Sequence, residues 1–80
     1  MLRDEEVELF KSVGTRLKQL RKDAGYSSQE TFAYDAEIPR ALYGKYEKGS
    51  NMTISSLDRI LKFHKISFEE FFSQGFKEKE

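Results

Sequence analysis

The sequence predicts an all-α fold, a compact bundle of five helices, and three observations carry that expectation. Apolar residues recur at steps of three and four along several stretches, the period of a helix with one buried face. Nothing alternates with a period of two over a useful length, so no sheet is expected. Glycine and small hydroxyl residues fall between the periodic stretches, where helices stop and restart. Eighty residues make a single domain, taken as 1–80, near the small end of what folds alone. Seven Phe and four Tyr must supply much of its buried area, because without cysteine no disulfide framework can contribute.

The first helix is expected from Glu5 to about Ala24, with Val7, Phe10, Val13, Leu17 and Leu20 as its apolar stripe. Gly14 interrupts that stripe at a cost of about 1 kcal/mol relative to Ala. Lys18, Arg21 and Lys22 lie towards the C-terminal end, where the helix dipole favours cations. Gly25 stops the helix in a left-handed conformation. Ser27 and Ser28 are alternative caps for the second helix. Ser27 forms a capping box with Glu30, whereas Ser28 leaves Gln29 at the first helical position. Phe32, Ala33 and Ala36 form its buried face.

Glu37-Ile38 is the turn, and Pro39 marks the start of the third helix, since proline suits a first turn and not an interior. Ile38, either Leu42 or Tyr43, and Tyr46 are spaced to pack inward; periodicity does not choose between Leu42 and Tyr43. Gly49 ends this helix. After a loop from Ser50 to Thr53, Thr53 or Ser55 caps a fourth helix carrying Leu57, Ile60 and Leu61, and Ile66 closes the turn after it. Ser67 and Glu70 form a capping box that opens a fifth helix bearing Phe68, Phe71 and Phe72. Gly75-Phe76 ends it, and residues 1–5 and 77–80 are expected to fray.

The formal net charge is zero, which by itself argues against a nucleic-acid partner. The distribution says otherwise. Residues 1–10 hold one cation and four acids, giving −3, and residues 69–80 hold two against four, giving −2. Residues 11–68 hold eleven Lys and Arg against six acids, giving +5. A basic body between acidic ends can present a positive face to phosphates. No apolar run approaches the roughly 20 residues of a membrane helix, and the acidic N-terminus lacks an apolar signal core. A cytoplasmic soluble protein is expected.

Residues 28–49 are the most informative segment. They read as two short helices joined by a tight turn, with polar and basic side chains on the outer face of the second, a layout that lays one helix in the major groove. The set Gly25, Gln29, Phe32-Ala33, Ile38, Tyr46-Glu47, Gly49, Leu57 and Ile60 resembles the XRE family, the lambda-repressor-like or Cro/repressor-type helix-turn-helix domains. The resemblance covers about residues 13–72, and its most specific part is the spacing from Phe32-Ala33 through Ile38 to Tyr46-Glu-x-Gly49. It implies a lambda-repressor-like five-helix bundle whose third helix, about 39–48, reads the major groove of double-stranded DNA.

Roles implied by the resemblance carry over by position. Arg40, Ala41, Gly44 and Lys45 match base-facing positions. Gln29 matches a glutamine that holds a phosphate and buttresses the recognition helix, and Ser28, Lys48, Ser50 and Asn51 fall at phosphate-facing positions. Glu47 matches a structural acid. Three positions depart from the family pattern. Glu37 stands where the turn usually has glycine, and so must adopt a left-handed conformation or a different turn. Pro39 replaces the usual Ser or Thr cap, and His64 replaces a leucine.

Each residue also has a plainer reading. Arg40 offers a forked donor pair matching guanine O6 and N7, or else is a surface arginine that pairs with Glu37 or a phosphate. Lys45 reaches a guanine or, more commonly, a phosphate. Gly44 allows close approach either to DNA or to another helix, and Ala41 either touches a thymine methyl or simply favours the helix. If Tyr43 points inward, Leu42 leans to DNA or solvent and can touch a base; if not, Tyr43 offers its hydroxyl to a phosphate. Tyr34 is expected to pack at the core edge. His64 has no Cys or second His beside which to hold a metal, and reads as a partly buried structural residue. Phe68 with Phe71 or Phe72 is expected in the core, leaving Phe72 and Phe76 as candidates for a homodimer contact.

No catalytic residue, metal or cofactor is expected: no phosphate loop, nucleophile–base pair or dinucleotide fingerprint is present. The expected function is a sequence-specific DNA-binding regulator of transcription, a homodimer on a two-fold site. The alternative is a protein-interaction module, an antitoxin or adaptor that kept this fold and works through its Phe-rich C-terminus.

Overall fold

The computed structural model describes residues 3–76, and among these the fold is five helices with no strand, as the apolar periodicity predicts. The elements are α1 (Asp4–Asp23), α2 (Gln29–Asp35), α3 (Arg40–Lys48), α4 (Ile54–His64) and α5 (Phe68–Phe72). None of the described helices is long and apolar enough to cross a membrane.

Local chemistry sets most of the boundaries. Helix α1 begins at Asp4, within the stretch 1–5 expected to fray. Asp4 and Glu5 are already helical, and Glu6 Oε1 reaches back to accept from the Arg3 backbone N–H at 3.1 Å. Asp4, Glu5 and Glu6 fill the first turn, where negative charge is favoured. The expected fraying of residues 1–2 and 77–80 falls outside the described residues. Ala24 caps the end of α1, and Gly25 follows at φ 91°, the left-handed stop expected of it. Ser28, not Ser27, caps α2: its hydroxyl accepts from Thr31 N at 3.1 Å. Thr53, not Ser55, caps α4, and Ser67 with Glu70 forms the expected box at α5.

The turn between α2 and α3 is made by Glu37 at φ 58°, the left-handed conformation that the missing glycine required. A non-glycine residue there carries strain of roughly 1 kcal/mol. Two backbone bonds hold it, Glu37 N to Tyr34 O at 3.2 Å and Ile38 N to Ala33 O at 2.9 Å. Pro39 occupies the cap of α3, one residue before the helix, and contributes no side-chain hydrogen bond.

The core gathers Val13 and Leu17 from α1, Phe32 and Ala33 from α2, Tyr43 and Tyr46 from α3, Leu57, Ile60 and Leu61 from α4, and Phe71 from α5. Each fully buried Leu, Ile or Phe stabilises the fold by about 1.5–3 kcal/mol. Phe71 ties α5 to α1. Its ring lies under the Arg16 guanidinium at 5.7 Å, and its carbonyl accepts from Arg16 Nε at 3.2 Å. The choice left open in α3 is decided: Tyr43 is fully buried and Leu42 is 39% exposed. Tyr34 corrects an expectation. It is 84% exposed and packs at no core edge, because it lies on the side of the short α2 opposite Phe32 and Ala33.

Candidate nucleic-acid interface

The position of α3 follows from three contacts that hold it from behind. The first is a buried ion pair. Arg21, near the end of α1, directs Nε to Glu47 Oε2 at 2.7 Å and Nη2 to Glu47 Oε1 at 3.4 Å, with both side chains almost fully buried. Its remaining Nη1 donates to the Tyr26 carbonyl at 2.7 Å, in the link between α1 and α2. Gln29, the first residue of α2, donates from Nε2 to Glu47 Oε1 at 2.8 Å. One carboxylate on α3 therefore receives hydrogen bonds from both α1 and α2.

The electrostatics agree with that geometry. Burial works to raise the Glu47 carboxyl, but hydrogen bonds from Arg21 and Gln29 and the guanidinium charge outweigh it and hold the group below its ordinary value. Glu47 in turn holds Arg21 above its ordinary value. The Tyr43 hydroxyl is buried beside this pair with no hydrogen-bond partner. Burial pushes the Tyr43 phenol well above its ordinary value, and the Glu47 carboxylate adds to the effect.

The second contact is backbone to backbone. A Cβ built on Gly14 of α1 would lie 2.4 Å from the Glu47 carbonyl oxygen and 2.7 Å from that of Tyr46. Glycine is therefore the condition for α1 to touch the C-terminal end of α3, which corrects its reading as a modest helix penalty. The third is at Gly49, φ 98°, where the chain leaves α3 against the Lys11 backbone, with 3.1 Å between the ideal Cβ and Lys11 Cα.

Held this way, α3 exposes Arg40, Ala41, Lys45 and Lys48. Among the described residues none of these three cations is paired with a carboxylate, so Arg40 does not pair with Glu37. Ser50 and Asn51 follow in the exposed loop, and Ser50 N closes the helix end by donating to Lys45 O at 3.0 Å. Gly44 differs from the other base-facing candidates. It is half-buried, and a Cβ there would meet Gln29 Oε1, the end of a side chain from α2, at 3.2 Å. Among the phosphate-facing candidates, Ser28 has its hydroxyl engaged with Thr31, and Gln29 is half-buried on Glu47. Lys48, Ser50 and Asn51 are exposed.

Of the aromatic dimer candidates, Phe72 is 38% exposed while Phe76 is half-buried against Phe71 and Phe72. His64 sits at the end of α4, half-buried, with its ring stacked on Phe32 at 5.1 Å and Nε2 buried without a partner. Burial lowers its pKa from 6.5. The unfolded chain then takes up a proton that the folded chain refuses. The stability from neutral His64 is complete above about pH 6.5 and is lost as pH falls from there to the depressed folded value. Denaturant titrations at successive pH values should show this loss, at no more than about 1.4 kcal/mol per pH unit, and His64→Leu should flatten it. An unchanged slope in that variant would assign the titration elsewhere.

Sequence reasoning missed Arg21, read only as a cation at a helix end. The signal was present: Arg21 falls four residues after Leu17, on the apolar stripe, where a charge needs a buried partner. Tyr26 was missed too; it donates to Asp35 at 2.7 Å and packs edge-on against Phe32.

No protein-family model matches the chain, and no solved structure gives a significant match. Among curated proteins it is similar to the control protein C.MunI from a Mycoplasma species, with 36% identity over 66 residues, covering 81% of this chain and 89% of that protein. With α2 and α3 forming a helix-turn-helix, the chain belongs to the family of helix-turn-helix control proteins that this relative represents.

Proposed function

We propose that this protein is a sequence-specific regulator of transcription that binds double-stranded DNA with α3 in the major groove, in the manner of the XRE-type domains it resembles. The observation that carries the reading is the outer face of α3: Arg40, Lys45 and Lys48, none paired with a carboxylate among the described residues, on a helix whose inner face is fixed by Glu47, Tyr43 and Tyr46. The kinship with a control protein supports it. Arg40 reads a base, Ala41 and Lys45 line the groove, and Lys48, Ser50 and Asn51 hold the backbone. The mechanism is positional, with the bound protein blocking or recruiting polymerase. A single recognition helix makes few base contacts, so two copies on a two-fold site raise affinity and specificity. Phe72, exposed beside Phe68 and Phe76, is the surface through which they pair.

Arg40 and Lys48 separate readout from positioning. Arg40→Ala should cost about 1–3 kcal/mol at a selected site and relax the preference at one base pair. Lys48→Ala should weaken all sequences alike and reduce the salt slope by about one. Titrations of labelled duplexes at several salt concentrations measure both effects. Equal affinity of both variants and the wild type would remove the assignment.

A further inference from the structure

Helix α1 has a basic side of its own. Lys11, Thr15, Lys18 and Lys22 are all exposed. At about 100° per residue they fall within about 60° of one another, in a single row along the helix. Among the described residues none of the three lysines is paired with a carboxylate. Asp4, Glu5, Glu6 and Glu8 precede the row, and Asp23 lies about 100° round from Lys22, where it accepts from Gln19. The helix dipole favours Lys22, in the last turn, but gives no reason for Lys11 in the first half of the helix.

The contacts of α1 fix where the row points. Gly14 and Arg21, which meet α3, lie about 60° and 80° round from Lys11, and buried Val13 and Leu17 lie further in the same sense, at about 160° and 120°. Arg16, which meets α5, lies about 140° away in the opposite sense. The row therefore occupies the arc of α1 between its contacts with α3 and α5, on the side away from the core, where α3 has its own outer face. At Lys11 the row touches the end of α3. Lys11 Cα and Cγ both lie 3.1 Å from an ideal Cβ on Gly49, the residue between Lys48 and Ser50.

Lysines spaced roughly 10 Å and 6 Å apart along a straight rod cannot share one small anion. A duplex, with a phosphate at every step of each strand, can meet them all, and such contacts position a protein without reading sequence. We propose that Lys11, Lys18 and Lys22 form a second phosphate-binding surface, which seats α1 on the DNA backbone beside the groove that α3 enters. The inference rests on the DNA-binding reading above and adds backbone contacts from a helix outside the helix-turn-helix.

The triple substitution Lys11→Gln, Lys18→Gln and Lys22→Gln removes the charge from exposed positions and keeps good helix formers there. Its affinity for a duplex selected by the wild type is measured over a range of salt concentrations, together with the phosphates at which ethylation interferes with binding. Each lysine seated on a phosphate contributes about 0.9 to the salt slope, so the triple variant should have a slope shallower by about 2.7. It should also lose interference at phosphates flanking the half-site and keep the wild-type order of preference among bases. The matching variant with Lys11→Arg, Lys18→Arg and Lys22→Arg should keep the wild-type slope. A wild-type slope in the glutamine variant overturns the proposal and leaves the row to an acidic protein partner. So does a shallower slope with an unchanged interference pattern, which would report net charge alone. If the wild type itself selects no site, the DNA-binding reading fails and the inference falls with it.

Discussion

Glu47→Ala should lower the stability of the domain by about 3–5 kcal/mol, read from urea denaturation. The substitution leaves the Arg21 side chain, 4% exposed, with no carboxylate, and removes the acceptor for Gln29. Breaking one half of a buried pair is costly because the remaining charge cannot return to water. For a chain of this length the whole stability is about 4–12 kcal/mol, so the loss is a large fraction of it. Arg21→Met should have a comparable effect, since an unpaired carboxylate is left inside. The double substitution Arg21→Met with Glu47→Leu should recover much of the loss, because apolar side chains of similar volume replace buried ion pairs well. A loss below about 1 kcal/mol for Glu47→Ala would mean that the pair is solvated like a surface bridge.

Gly14→Ala is the second large effect, and its sign distinguishes packing from propensity. On propensity alone alanine in the middle of α1 stabilises by about 1 kcal/mol. The added Cβ would lie 2.4 Å from the Glu47 carbonyl oxygen, an atom of the α3 backbone that cannot rotate away. Either α1 or the end of α3 must move, and overpacking of this kind costs typically 1–3 kcal/mol. The expected net result is a loss of up to about 2 kcal/mol, a fall in thermal midpoint of up to about 8–16 °C at about 4–8 °C per kcal/mol for a domain of this size. Because the displaced segment carries Lys48, affinity for a selected duplex should fall as well. A rise in the midpoint would show that the two helices are not in contact at Gly14.

How much of this was legible in the sequence depended on whether the cause was local. Caps and stops are set by one residue and its near neighbours, so Gly25, Ser28, Gly49, Thr53 and Ser67 were found, some among alternatives. The left-handed Glu37 was one of two alternatives, and it came from the resemblance, whose turn has glycine there. The choice between Leu42 and Tyr43 was not, since a nine-residue helix has two residues on the margin of its buried arc and only the neighbouring helices decide. Arg21 and Glu47 are 26 residues apart, and no local pattern pairs them. Gly14 looked like a defect because its reason lies across the bundle, in α3. Arg40, Ala41, Lys45, Lys48, Ser50 and Asn51 are exposed, as outward positions should be, whereas Gly44 is half-buried beside Gln29, a neighbour from another helix.

The most direct test of the central claim is selection of bound sites from a random duplex pool, sequenced, with wild type and Arg40→Ala compared at two salt concentrations. The wild type should select a reproducible motif, an inverted repeat with half-sites about one helical turn apart, and Arg40→Ala should lose the preference at one position of each half-site. Weak, salt-sensitive binding with no motif, the same for both proteins, would contradict it and point to a protein as the main target.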